Sequence, residues 1–430
     1  MATLIVCNHA IRFHDNPLLQ HAGNSPVFLF VLDPKLLFEQ VDQWSQARTY
    51  FLIQGLTEFS NQLKTLGYVL NVAIGAWAEQ VKRCAESVNA TEIVCATAIG
   101  WRERQAFNAL IDTVDTQVTS LNCSDLFEAE DIHALLPQIP DVFSSFRRQL
   151  EQANLVVTTE AQPTITATVP AQSSINGLAI ENGIAWLKTR MQEKPSSYWQ
   201  LGGESAGLYR VDQYIWQTQA IRDYKNTRNG LSGRLFSTQF SPWLATGAVS
   251  ARLIWQTVHE YEQQFQANDS TYWVKFELLW REFFHWQHRQ YGRAWFSRYG
   301  IQGPMNFEQP PLNTTQQHYL RQWQQGSTGN DFIDANMRML NLTGWMSNRG
   351  RQNVASFLIH ELALDWRLGA LWFESQLVDY DVASNWGNWA YLAGVGNDPR
   401  GGRRFNIAKQ AQTHDPAGEF VREWLSERGR

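Results

Sequence analysis

The chain has 430 residues, of which 44% are hydrophobic and 18% charged, and its formal net charge is −5. That length suits two domains and the composition is that of a folded protein; the acidic balance excludes an all-over basic coat but not a local basic groove. No early apolar run can span a bilayer and no basic-then-apolar leader is present, so a cytoplasmic protein that does not engage membranes is expected.

Residues 1–135 alternate short apolar runs with amphipathic stretches. Strands are predicted at 3–7, 27–32, 69–74, 92–96 and 117–121. Helical periodicity lies between them, as over 47–66 with Phe51, Leu52, Leu56, Phe59 and Leu63 on one face. This alternation predicts an α/β N-terminal domain with a doubly wound parallel sheet. Neither GxGxxG nor GxxxxGK[ST] follows the first strand. Cys7, Cys84, Cys95 and Cys123 form no CxxC pair and read as reduced thiols. Residues 136–195 are predicted to connect two domains, with 156–176 (VVTTEAQPTITATVPAQSSIN) lacking helical period. From 196 to 430 the pattern is all-α, with helices predicted at 206–222, 248–264, 272–290, 331–340 and 350–362. Sixteen of the nineteen tryptophans lie after residue 180. Most fit a core, but such richness directs attention to base stacking, flavin contact or electron transfer.

Four segments of this half carry chemistry. Residues 272–284 (YWVKFELLWREFF) predict a buried helix on which Glu277, Trp280 and Arg281 share a side. Its two charges are paired with each other or bound to a ligand, and the spacing leaves both open. Residues 345–357 (WMSNRGRQNVASF) set Arg349 and Arg351 around a glycine at a helix start, beside Asn348 and Gln352. That suits an anionic or polar heterocyclic ligand, or simply solvated arginines. Residues 379–391 (DYDVASNWGNWAY) present Asp379, Asp381 and Asn385 with no histidine in the segment and no calcium-loop spacing, which argues against a metal. Residues 237–241 (STQFS) precede Pro242 and predict a helix cap; their hydroxyls and free amides also suit a phosphate.

Together these segments resemble the FAD-binding domain of the photolyase/cryptochrome family, and within it the cryptochrome DASH branch. The likeness runs in order through GGESAG (202–207), YKNTRNG (224–230), STQFSPWLAT (237–246), FELLWREFF (276–284), DANM (334–337), TGWMSNRGRQNVASF (343–357), DWRLG (365–369) and NWGNWAYLAGVGNDPR (385–400). It is looser before that, at LDPKL (32–36) and PDVFSSFRRQLE (140–151).

The resemblance implies FAD held by Tyr224, Ser237, Thr238, Gln239, Phe240 and Ser241 along its phosphates and ribitol. Arg351 would pair with Asp379 beside the isoalloxazine, Asp381 would line the same pocket, and Asn385 would face flavin N5. Arg281 and Asn348 complete that set. Trp389 and Trp366 are implied as proximal and middle electron carriers. The position of the outer one is Asn313, so Trp372, Trp386 and Tyr319 stay open as replacements. Glu277, Trp280 and Asn348 would meet a flipped-out cyclobutane pyrimidine dimer, with Arg349, Gln352 and Tyr391 around it. Tyr391 and Gln352 stand where duplex-acting photolyases more often carry Trp and Met, which points to single-stranded DNA. Ser347 stands where (6-4) photolyases carry a histidine.

The implied function is FAD-dependent, blue-light-driven dimer repair by a monomer. A blue-light photoreceptor signalling through flavin redox state is the alternative; an end at Arg430 without a long tail favours the enzyme. A methenyltetrahydrofolate antenna is optional: the acidic pair expected for it reads Arg102 and Glu103, with one charge reversed, and Glu151 is a further contact.

Overall fold

The computed structural model describes residues 2–23, 25–38, 41, 43–160, 174–192, 200–397 and 401–426. Five aliphatic runs form one parallel sheet: β1 (Ala2–Val6), β2 (Pro26–Leu32), β3 (Leu70–Ile74), β4 (Ala90–Ala96) and β5 (Gln117–Leu121), in the order β3-β2-β1-β4-β5. All seven residues of β2 are buried, as expected when helices cover both faces of a parallel sheet. The edge strand β5 has only half-buried and exposed positions. The predicted strands lie within two residues of these bounds. Crossovers are made by α1 (Gln46–Thr65), α2 (Trp77–Ser87) and α3 (Trp101–Ile111). Between β1 and β4 the strand order reverses. There the carboxyl ends of β1, β2 and β4 open onto a cavity of about 200 Å³, the usual ligand position of such sheets.

Two helices occur within residues 136–195, α4 (Phe143–Ala153) and α5 (Ile180–Thr189). Helix α5 docks on the sheet: a Cβ on Gly183 would lie 2.4 Å from Val72 Cγ1. Residues 161–173 and 193–199 of the predicted connection, and 398–400 of the last motif, lie outside the described residues.

The rest is helical: α6 (Glu204–Asp212), α7 (Ser241–Thr246), α8 (Ala251–Phe265), α9 (Asp269–Tyr291), α10 (Asp331–Thr343), α11 (Asn348–Ser356), α12 (Trp366–Gln376) and α13 (Val382–Ala393). The single helix predicted over 206–222 is broken. Helix α6 passes into a π turn (Gln213–Gln217), and Gln219 at φ 52° starts a separate 3-10 turn (Ala220–Asp223). Apolar spacing survives such changes of winding, so periodicity does not detect them.

Helix α9 is opened by a capping box between Asn268 and Thr271. It runs between the two halves, and its polar residues Glu282, His285, Gln287 and His288 are fully buried. Several bond to the segment after β5: Glu282 accepts from Leu126 N at 2.8 Å, and Gln287 donates to Pro140 O at 2.8 Å. The α/β half is thereby fixed against the helix that carries the functional residues.

Candidate functional site

A cavity of about 300 Å³ lies among α9, α11, α12, α13 and the turn at 237–241. Tyr224, Ser237, Thr238, Gln239, Phe240, Ser241, Arg281, Asn348, Arg351, Asp379, Asp381 and Asn385 all line it, and so does Trp389. The turn is held from behind. The buried Arg210 guanidinium donates to the carbonyls of Ser237 (2.9 Å), Thr238 (2.9 Å) and Arg234 (2.6 Å), while Gln239 adopts φ 53°. The capping role expected of this turn is not what the structure contains. Helix α7 has no side-chain cap, and Ser241 Oγ donates instead to Asp379 Oδ2 at 2.7 Å. Tertiary contact with a carboxylate displaces the local bond.

Beside the turn, Arg351 Nη2 lies 2.7 and 3.0 Å from the two Asp379 oxygens, a pair joined across 28 residues of sequence. Asp381 caps α13 by accepting from Ser384 N at 2.6 Å. One turn on, Asn385 is buried and donates Nδ2 to Ala370 O at 3.1 Å, which leaves its amide oxygen for the cavity side. Hydroxyls, an ion pair and a neutral amide, together with the apolar Leu244, Val274, Phe373 and Leu377, fit a flavin dinucleotide.

A second cleft of about 440 Å³ shares Arg228, Glu277, Arg281, Asn348 and Gln352 with the first. Trp280, Arg349 and Tyr391 also line it. Trp280 stacks on Phe143 at 3.7 Å and meets Tyr391 edge-on at 6.2 Å. Arg403 donates to Tyr391 Oη at 2.6 Å, fixing that wall. Arg349 binds Gln352 Oε1 and Asn229 Oδ1. The Glu277–Arg281 pair that the spacing allowed does not form. Glu277 pairs with Arg228, and Arg281 donates to Ser124 O at 2.6 Å. Burial pushes the Glu277 carboxyl above its ordinary range, with Arg228 opposing. Sequence reasoning missed Arg210, Arg228 and Arg403. Arg228 lies inside YKNTRNG and Arg403 just after the last motif, but nothing in the string marks what they touch.

Trp389 is buried, with ring contacts to Phe373 (5.1 Å) and Trp323 (6.2 Å). Trp366 donates Nε1 to Arg298 O at 3.0 Å and meets Trp386 edge-on at 5.7 Å. Asn313 is the N-cap of the helix Thr314–Gln325. Among the residues left open for an outer carrier, Trp386 is in ring contact with Trp366, and it lines a further cleft with Trp101, Arg102 and Phe296. Arg102 faces that cleft. Glu103 lines the sheet-end cavity and lies 3.2 Å from His9, and Glu151 accepts from Tyr272 Oη at 2.7 Å. The three residues proposed for an antenna thus face different surroundings.

Although no histidine is near it in sequence, Asp381 has His285 against it in space. Among the described residues no cluster suited to a metal occurs, the four cysteines are buried and free, and no helix is long and apolar enough to cross a membrane.

Comparison with known proteins agrees with this geometry. The family described as DNA photolyase matches residues 3–167, and the FAD binding domain of DNA photolyase matches residues 273–429. Cryptochrome DASH of Synechocystis sp. is 37% identical over 99% of this chain and 87% of its own length. The crystal structure of a Synechocystis sp. cryptochrome, also 37% identical, superposes with a TM-score of 0.89 over 99% of this chain and 89% of that one. An archaeal photolyase from Sulfolobus tokodaii, whose structure has two FAD molecules, gives 0.76 at 26% identity over 99% of this chain and 90% of that one. With its parallel-sheet half and its helical FAD-binding half, this chain belongs to the photolyase/cryptochrome family, in the cryptochrome DASH branch.

Proposed function

We propose that the protein repairs cyclobutane pyrimidine dimers with blue light, as a monomer, and prefers single-stranded DNA. The observation that supports this most is the wall shared by the flavin cavity and the aromatic, arginine-lined cleft. A pyrimidine dimer seated against Trp280 is thereby within one side chain of the flavin cavity. Bound FAD supplies the light absorption and the one-electron chemistry.

The chain's own residues then have distinct tasks. Arg228, Arg349 and Arg403 give the cleft a local positive charge on an otherwise acidic protein, suited to a phosphate backbone. Trp280, backed by Phe143, presents a rigid face for stacking. Glu277, whose carboxyl burial pushes above its ordinary range while Arg228 opposes, stands beside Trp280 to face the polar edge of a pyrimidine. Asn385 offers the flavin edge a neutral amide. Trp389 and Trp366 pass electrons inward, and Trp386, buried and in ring contact with Trp366, extends that path in place of the missing tryptophan at Asn313. The sheet-end cavity has room for a second chromophore, and the Sulfolobus tokodaii photolyase holds two FAD molecules.

The test uses FAD-loaded protein, reduced by blue light with an external donor, and dimer-containing oligonucleotides in single- and double-stranded form. Dimers are expected to disappear in the light, faster in the single strand. Intact dimers despite bound, reduced FAD would leave the photoreceptor as the function, and equal rates on both substrates would remove the strand preference.

A further inference from the structure

His285 on α9 is fully buried between two carboxylates. Its Nδ1 lies 2.7 Å from Asp125 Oδ1, and its Nε2 lies 3.1 Å from Asp381 Oδ2. An ionised carboxylate only accepts, and a neutral imidazole carries one N–H, so both contacts cannot be satisfied by a neutral ring. Either the ring is an imidazolium or one aspartate is protonated.

The surroundings select the imidazolium. Asp125 is bound by Arg289 at 2.5 Å, and Asp381 receives the Ser384 amide; both donors favour ionised carboxylates. The other titratable neighbours are Arg281, Glu282 and His288 on α9, and the His9–Glu103 pair on the far side of Asp381. Burial and Arg281 act against the charged ring, but Asp381 and Asp125 outweigh them and raise its pKa. Asp381 lines the flavin cavity and begins the helix that carries Asn385 and Trp389, whereas Asp125 belongs to the segment after β5. The ring therefore ties the α/β half to the flavin wall through charge.

We propose that His285 is a positioning residue of the flavin site, an imidazolium that keeps Asp381 ionised and anchored and so sets the electrostatic field in which the flavin changes redox state. The inference rests on FAD occupying this cavity.

The experiment is done in the dark on FAD-loaded wild type, His285→Gln, Asp381→Asn and the double variant. Uptake of FAD by the wild type is read first from its absorption spectrum, and a wild type that takes up none overturns the flavin reading on which this rests. The midpoint potential of the bound flavin is then measured against pH. His285→Gln leaves the Asp381 charge uncompensated and is expected to shift the potential negative. Asp381→Asn is expected to shift it positive, and the double variant, which removes both charges, to return towards wild type. A His285→Gln potential and pH profile equal to wild type overturns the proposal. Where that variant fails to fold, nitrogen-15 histidine NMR of the wild type decides. A buried, doubly protonated ring at neutral pH supports the imidazolium, and its absence from the wild type overturns it.

Discussion

Arg210 supports the turn at 237–241 from behind: the carbonyls of Arg234, Ser237 and Thr238 end on its guanidinium. Hydrogen bonds to a charged donor contribute about 1.5–3 kcal/mol each, and buried carbonyls left without a donor cost more than the bond itself returned. Arg210→Met is therefore expected to lower FAD affinity at least ~10-fold and to reduce Tm. Release of flavin fluorescence on dilution measures the first and thermal unfolding the second. Arg210→Lys restores the charge without the planar fork and should recover only part of the loss. Wild-type flavin retention by Arg210→Met would show that the turn holds its shape unaided. At this scale the sequence was legible where a residue matches a motif, as with Arg351 and Asp379. It was silent on partner choice: Glu277 has Arg281 one turn away on its own helix but pairs with Arg228 from another segment.

Helices α12 and α13 approach closely because Gly369 has no side chain. A Cβ there would lie 2.1 Å from Trp389 Cη2 and within 2.8 Å of two further ring atoms. Alanine gains about 1 kcal/mol in helix propensity over glycine, but an indole packed against Phe373 and Trp323 cannot yield that much space. Overpacking of this kind costs about 1–3 kcal/mol. Gly369→Ala is expected to be destabilised on balance and to lose flavin, because Trp389 and the cavity wall move together; Tm and the FAD content of purified protein measure this. Gly387 does the same for α13 against Phe284 of α9, with a would-be contact of 2.3 Å. Spacing between helices is thus written in single glycines whose meaning depends on what lies opposite.

Across the whole molecule, the interface between the two halves couples stability to pH. His288 is buried, stacks on Trp295, and neither ring nitrogen has a hydrogen-bond partner; burial pushes its pKa from 6.5 to about 3. The unfolded chain takes up that proton near 6.5 and the folded one does not, so stability is lost as pH falls from 6.5 to about 3. Burial raises Glu103, but its pairing with His9 and the Gly100 amide brings it down to about 2, and its stabilisation is lost as pH falls from 4.5. Glu282 runs the other way. Burial and Asp125 raise it to about 7, so the folded state binds its proton first and gains as pH falls from 7 to 4.5. The opposing slopes predict a shallow stability profile between 6.5 and 4.5 and a steep fall below 4.5. His288→Phe, which keeps the stacking, should flatten that acid limb by up to about 1.4 kcal/mol per pH unit. Denaturant unfolding at stepped pH measures it; an unchanged limb would mean that His288 is not neutral in the folded protein.

What the amino-acid sequence by itself determined is the set of elements and, through a family resemblance, which residues to propose for the site. Strand and helix periods are local, so the parallel α/β half and the helical half were readable from the spacing of apolar residues. The residues proposed for the flavin site could be named because the segments that carry the family resemblance follow one another in order along the chain. Only the tertiary structure decided which charges meet: Ser241 on Asp379 rather than capping its own helix, Arg228 on Glu277, and His285 between Asp125 and Asp381. Those contacts join residues 49 to 160 positions apart, and no periodicity reports them. The reason is physical: a buried charge takes whichever partner the packing brings within reach, and packing is a property of the folded whole.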